Sequence, residues 1–219
     1  DAFQPQTTAE LQTAVDLWVS DSASAVAAYG QINAWDVSLI TDMTDLFKDK
    51  TTFNDDINAW DVSNVTNMHG MFQNCGAFTG DLSNWDVSSV TNMSSLFSSC
   101  VNFNGDLSGW DVSSVTTFDG IFFRGFAFNN NSLANWDLSN GPNLRYMFYG
   151  ASLFNGDVSG WDVSNVTNMT VMFSQTDINQ DLSNWDVSNV LYMAGMFERA
   201  RDFNQDISNW DVSSVTHMN

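Results

Sequence analysis

The hydrophobic positions of the chain recur with a fixed period. Eight tryptophans lie at successive intervals of 25, 25, 25, 26, 25, 24 and 25 residues. Each begins, with minor variation, the phrase W-D-V-S-x-V-T-x-M-x-x-M-F, and a phrase close to F-N-x-D-L-S-x leads to the next tryptophan. This period is typical of repeat proteins, in which stacked units bury a face that one unit cannot bury alone. The eight tryptophans are Trp35, Trp60, Trp85, Trp110, Trp136, Trp161, Trp185 and Trp210.

The first part of each unit has the period of a strand. Trp85 and Val87 are two residues apart and should point to the core, while Asp86 between them should point to solvent. Because this pattern returns in every unit, the sequence predicts one parallel sheet of about eight short strands centred on the Trp-Asp-Val triplets.

The second part of each unit has the period of a helix. Met93, Leu96 and Phe97 are spaced by three and four residues, which predicts one apolar stripe on a short helix, and Thr91 is suited to cap its start. The predicted fold is therefore an α/β repeat solenoid with short helices on the side opposite the sheet. The phenylalanines that follow this stripe should form a buried ladder, namely Phe47, Phe72, Phe97, Phe122, Phe148, Phe173 and Phe197.

The repeat also resembles a known family. L-x-x-W-D-V stands where leucine-rich repeats carry L-x-x-L-x-L, and V-T-N-M-S-S-L-F-S-S-C, residues 90–100, is similar to the helical part of BspA-type leucine-rich repeats. The whole unit, from about Tyr29 onward, resembles the bacterial surface protein 26-residue repeat. The resemblance implies a leucine-rich-repeat-like right-handed coil in an extracellular or cell-surface protein, and it brings no characteristic reaction with it.

The two ends of the sequence differ from the repeat. Residues 1–31 lack the template, and Thr8 followed by Glu10 and Leu11 predicts an amphipathic helix with an N-cap. We therefore expect a helical N-terminal cap over 1–31 and one continuous repeat domain over 32–219. At the other end, Trp210 and Met218 have no visible neighbour, which predicts either a longer natural chain or self-association through the C-terminal coil.

The charge of the chain limits its partners. It carries 26 acidic and 6 basic residues, a formal net charge of −20. Such a surface repels nucleic acid and anionic membranes and favours cations or basic partners. No apolar run reaches the roughly 18 residues of a membrane span. We expect neither nucleic-acid binding nor direct membrane insertion of this segment.

The regular acidic residues are the first candidate site. An Asp follows every repeat tryptophan, and stacked strands would place these carboxylates about 4.8 Å apart. They could bind Ca²⁺ or basic groups, or each could accept hydrogen bonds from the turn after it, which is the favoured interpretation. We expect no cofactor, apart from weakly bound Ca²⁺ at this ladder. This Asp ladder comprises Asp36, Asp61, Asp86, Asp111, Asp137, Asp162, Asp186 and Asp211.

The two cysteines occupy the same position in consecutive units. Stacking should bring the Cα atoms of Cys75 and Cys100 within disulfide range, although parallel side chains put their Cβ atoms near the upper limit. Two buried free thiols are therefore favoured over a disulfide.

The repetition argues against catalysis, because a catalytic site is singular and nearly every acid here is copied in each unit. We expect a non-catalytic binding or adhesion module that contacts a protein or glycan ligand on a cell surface. The alternative is a scaffold that binds cations, a mineral or ice through its Asp, Ser and Thr ladders. Calcium titration would separate the two.

Overall fold

The computed structural model describes residues 2–218 and shows a stack of repeat units. Each unit is called a coil here, and coils 1 to 8 begin at the eight repeat tryptophans in chain order. Backbone hydrogen bonds join neighbouring coils: the Phe47 amide donates to the Met71 carbonyl at 2.8 Å, and the Phe72 amide donates to the Leu96 carbonyl at 2.9 Å. Asp1 and Asn219, the outer ends of the two predicted segments, lie outside the described residues.

Helices occur before the first coil. Helix α1 spans Thr8–Ser20, helix α2 spans Ser22–Tyr29, and a 3₁₀ turn spans Ile32–Ala34. Thr7 rather than Thr8 is the N-cap of α1, since its side chain accepts the Glu10 amide at 3.2 Å. Asp21 then caps α2 through the Ser24 amide. Within 2–218, no helix has both the length and the apolar character needed to cross a membrane.

One face of α1 lies against coil 1. The Thr8 hydroxyl donates to the Asp42 carbonyl at 2.8 Å, and the Gln12 side-chain amide donates to the Leu46 carbonyl at 3.1 Å. Near the end of α1, the Trp18 indole N–H donates to Asp55 at 3.0 Å. These contacts support the proposal that residues 1–31 cap the stack.

The predicted fold class is wrong, because the described part of the chain contains no strand and no sheet. Parallel pairing between coils is confined to isolated bridges, one residue wide. The bridged pairs are Asp42–Asn67, Asn67–Asn92, Asn92–Thr117, Thr117–Asn143, Asn168–Tyr192 and Tyr192–His217. The α/β solenoid with a parallel sheet is thereby replaced by a stack of coils built from turns.

Turns on both sides of each Trp-Asp-Val triplet prevent strand formation. The Trp85 amide donates back to the Leu82 carbonyl at 3.1 Å, and the Val90 amide donates back to the Val87 carbonyl at 2.9 Å. In a strand, these amides would instead donate to the carbonyls of a neighbouring strand. The predicted side-chain directions are nevertheless correct: Trp85 and Val87 are buried, and Asp86 is exposed.

The predicted short helices are also absent from the described coils. In coil 3, turn bonds from Leu96 to Met93 alternate with bonds to the next coil, such as the Phe97 amide to the Ile121 carbonyl at 2.9 Å. Ser95 and Ser99 have φ values of 56° and 58°, which a right-handed helix excludes. The spacing of Met93, Leu96 and Phe97 thus reflects consecutive turns that bury the same positions a helix would.

This left-handed geometry recurs at two fixed positions in coils 1 to 7, with φ between 48° and 69°. Gly, Asn, Asp and Ser fill most of these positions, as their low cost in this region predicts. The residues are Asp45, Asp49, Gly70, Asn74, Ser95, Ser99, Gly120, Arg124, Tyr146, Gly150, Val171, Gln175, Gly195 and Arg199.

The core is a set of stacked aromatic columns. The Phe97 ring centroid lies 5.7 Å from that of Phe72 and 5.8 Å from that of Phe122, and 4.1 Å from Phe103 of a second column. The Trp110 indole N–H donates at 3.2 Å to the Leu82 carbonyl, which lies 28 residues earlier, at the end of coil 2. The predicted phenylalanine ladder is confirmed. Its last member, Phe197, is only partly buried.

Candidate binding site

The Asp ladder is committed to hydrogen bonds within its own coils. All eight carboxylates accept the backbone amide of the serine two residues later, at 2.9 to 3.1 Å. In five coils the serine hydroxyl donates to the same oxygen as well. Each Asp therefore closes a local turn, the interpretation favoured from the sequence.

These bonds outweigh the repulsion between neighbouring carboxylates. Hydrogen bonds from Ser188 lower the pKa of Asp186, whereas the charge of Asp211 in the next coil has a weaker, opposite effect. The serine two residues later likewise lowers the pKa of Asp86 and Asp137. At these three positions the charged carboxylate is thus stabilised without a cation.

A second acidic series, before six of the eight repeat tryptophans, has the same role. The Ser83 amide donates to Asp81 at 2.9 Å, and the Ser108 amide donates to Asp106 at 2.9 Å. Between residues 2 and 218, no group of three or more His, Cys, Asp or Glu side chains is arranged to hold a metal ion. The geometry therefore offers no particular support for a Ca²⁺ site.

A scaffold that binds a lattice would need free threonine hydroxyls, but these hydroxyls are already used in hydrogen bonds between coils. The hydroxyls of Thr66, Thr91, Thr116 and Thr216 donate to a carbonyl of the preceding coil at 3.0 to 3.2 Å. These hydroxyls hold coils together, and their hydrogens are not directed to solvent.

The two cysteines are free and buried, as favoured from the sequence. The Cys75 thiol donates to the Phe47 carbonyl at 2.9 Å, and the Cys100 thiol donates to the Phe72 carbonyl at 2.7 Å. Burial raises the pKa of Cys75 to about 12 and raises the pKa of Cys100 as well. Both thiols are therefore protonated and unreactive at neutral pH.

A group of side chains that departs from the repeat lies on coils 4 and 5. The rings of Phe123 and Tyr149 stack at 5.1 Å, and the Tyr146 ring stands edge-on to both, at 6.3 and 5.8 Å. The guanidinium of Arg124 lies 5.4 Å from the Phe123 centroid, and that of Arg145 lies 4.6 Å from the Tyr146 centroid. These five residues are called the aromatic cluster.

Two further apolar side chains on the same coils are open to solvent. Phe126 is 45% exposed and Leu153 is 54% exposed. Single exposed apolar residues are ordinary, so it is the aromatic cluster itself that indicates a binding surface. The cluster also contains two of the chain's 6 basic residues, so its chemistry differs from the surrounding acidic surface.

A recess opens beside the cluster toward coil 3. Phe123 and Tyr146 line it together with Asp119, Gly120, Ser95 and Ser98, and its volume is about 230 Å³. The Asp119 carboxylate accepts no hydrogen bond from a residue in 2–218, and it is partly open to solvent. Burial raises the pKa of this half-buried group, and the charge of Arg145 acts in the opposite direction.

The cluster was not predicted from the sequence, because its residues stand at positions that vary from repeat to repeat. The position of Phe123 holds Lys48, Gln73, Ser98, Tyr149, Ser174 and Glu198 in the other coils, and the position of Tyr146 holds Asp45, Gly70, Ser95, Gly120, Val171 and Gly195. An inspection of these variable positions would have found three aromatic rings in two adjacent coils.

The fold and the site together define a repeat protein of stacked turn coils with one non-repeating surface cluster. The chain belongs to the family described as Mycoplasma protein of unknown function, DUF285, whose model matches residues 18–134 and 122–219. The resemblance to the bacterial surface protein 26-residue repeat and to BspA-like leucine-rich repeats is corrected by this match, since the family found is a different one. No curated protein and no solved structure matches the chain.

Proposed function

We propose that this chain is a non-catalytic binding module of a cell-surface or secreted protein and that its ligand is a protein or a glycan. The observation that carries the proposal is the aromatic cluster of coils 4 and 5. Tyr, Phe and Arg are the residues that dominate binding energy at protein surfaces. The cluster departs from the repeat, whereas the Asp, Ser and Thr side chains of the coils recur at fixed positions.

The repeated acids favour a structural role over a catalytic one. A general acid or base needs a carboxylate that is free to exchange protons with a substrate. The Asp of each coil instead accepts from its own serine, as Asp162 does from the Ser164 amide and hydroxyl at 3.0 and 2.7 Å. The same bonds weaken the alternative of a cation, mineral or ice scaffold, which no particular contact favours.

The test is binding of the purified chain to immobilised secreted glycoproteins, each presented intact and after enzymatic deglycosylation, with an uncoated surface as reference. The matched variant is Phe123→Ser with Tyr149→Ser, which introduces the residue that coils 3 and 6 carry at this position. We expect saturable binding by the natural chain and at least a tenfold loss in the variant. Binding to no surface, or equal binding by both proteins, would overturn the proposal.

A further inference from the structure

The recess beside the aromatic cluster presents a free acceptor next to apolar surface. The Asp119 carboxylate is half-buried and accepts no hydrogen bond from the described chain, so its oxygens are open to the donors of a ligand. The hydroxyls of Ser95 and Ser98 border the same recess, with the Phe123 and Tyr146 rings at its side. A ligand that fits must bring hydrogen-bond donors and an apolar face together.

The charges around the recess are mixed. Asp119 carries a negative charge, and Arg124 and Arg145 place two guanidinium groups over the neighbouring rings. Asp119 attracts a cation that the guanidinium groups repel, and the guanidinium groups attract an anion that Asp119 repels. A neutral ligand avoids both penalties.

The size of the recess limits the ligand to a small group. At about 230 Å³ it is smaller than the roughly 300 Å³ at which pockets for drug-sized molecules begin. Gly120 contributes no side chain, and Ser95 and Ser98 contribute small ones, so coil 3 and coil 4 leave the space open. One ring of a sugar meets this limit.

Tyr146 has an unusual backbone for an aromatic residue. Its φ of 55° lies in the left-handed region, where coils 2, 4 and 7 carry Gly70, Gly120 and Gly195. Such strain is often retained where a side chain has a functional role. The Tyr146 side chain therefore lies at the recess although its backbone is strained.

We propose that the recess formed by Asp119, Phe123 and Tyr146, with Ser95 and Ser98, binds one pyranose ring of a neutral glycan. The C–H groups of the sugar pack against the Phe123 and Tyr146 side chains that line the recess. The sugar hydroxyls donate to Asp119 and exchange hydrogen bonds with the serine hydroxyls. This inference rests on the proposed binding function and specifies its ligand.

The experiment is saturation-transfer NMR of the whole chain with the methyl pyranosides of glucose, galactose, mannose and N-acetylglucosamine. Tetramethylammonium chloride and sodium acetate serve as cationic and anionic probes. The test variants are Tyr146→Gly and Asp119→Ser, because Gly and Ser stand at these positions in other coils. Asp45→Gly is the control, since Asp45 occupies the position of Tyr146 in coil 1 and shares its positive φ.

We expect transfer to at least one pyranoside and to neither charged probe. Affinity should fall at least tenfold in both test variants and stay unchanged in the control, and Tyr146→Gly should melt close to the natural chain because glycine suits this φ. No pyranoside signal, a stronger signal from a charged probe, or binding that survives both test variants would overturn the inference. If deglycosylated proteins still bind through the cluster, the glycan inference fails alone. If no surface binds, the proposed function fails with it.

Discussion

The carboxylate of Asp111 accepts two hydrogen bonds from Ser113, one from the backbone amide at 3.0 Å and one from the hydroxyl at 2.7 Å. Both donors lie within the turn that Asp111 begins, and the same pair is repeated along the stack. An Asp column of this kind is a row of local turn closures rather than a row of free charges.

Replacement of Asp111 by Asn should destabilise the protein mildly, by no more than about 1 kcal/mol, because a neutral amide oxygen is a weaker acceptor. The exposure of the site keeps the loss small. Urea unfolding measures it, with Ser113→Ala as the matched change on the donor side. If repulsion between neighbouring carboxylates dominated instead, Asp111→Asn would raise the free energy of unfolding.

Calcium should have no specific effect on stability. Carboxylates that already accept bonds from their own turns gain little from a cation, so Ca²⁺ should act as an ordinary screening salt. Thermal melts with millimolar CaCl₂, with NaCl at matched ionic strength and with chelator should coincide once ionic strength is equal. A rise of many degrees with Ca²⁺ alone would restore the cation-scaffold alternative through mass action.

Replacement of Phe97 by Ala should cost about 3 to 5 kcal/mol, the range for a buried aromatic side chain that leaves a cavity. The ring is 1% exposed and stacks on both neighbouring coils. Phe197→Ala is the control, because Phe197 is partly buried and should cost clearly less. Chemical denaturation compares them, and a loss below about 1 kcal/mol at Phe97 would contradict its place in the core.

The two thiols should resist modification in the native protein. Cys75 is fully buried, and its pKa of about 12 leaves almost no thiolate at neutral pH. We expect iodoacetamide to label neither cysteine until the chain is unfolded in guanidinium, and then to label both. Mass spectrometry counts the adducts, and rapid labelling of folded protein would contradict the buried position of Cys75.

The sequence predicted which side chains face inward, and it did not predict the backbone that places them. Trp85 and Val87 are buried because apolar residues two apart share a side of any extended segment. No strand forms, because Asp86 and Val87 are the first residues of a turn that follows the tryptophan directly. No helix forms, because Ser95 and Ser99 have positive φ. The spacing of Leu96 and Phe97 gives no information about the φ of the residues around them.

The candidate site was predicted less well than the fold. The Asp ladder was predicted from the sequence, with its turn hydrogen bonds as the favoured interpretation. The aromatic cluster was not predicted, because it lies at positions that vary between repeats. Phe123 and Tyr149 belong to different repeats, 26 residues apart. They become one surface only when the register of the stack is known.

The most direct test sets the aromatic cluster against the Asp ladder on one bound surface. The two variants are Phe123→Ser with Tyr149→Ser, and Asp86→Asn with Asp111→Asn. On any glycoprotein surface that binds the natural chain, biolayer interferometry should give at least a tenfold loss for the cluster variant and an unchanged Kd for the ladder variant. Loss of binding in the ladder variant with retention in the cluster variant would contradict the account.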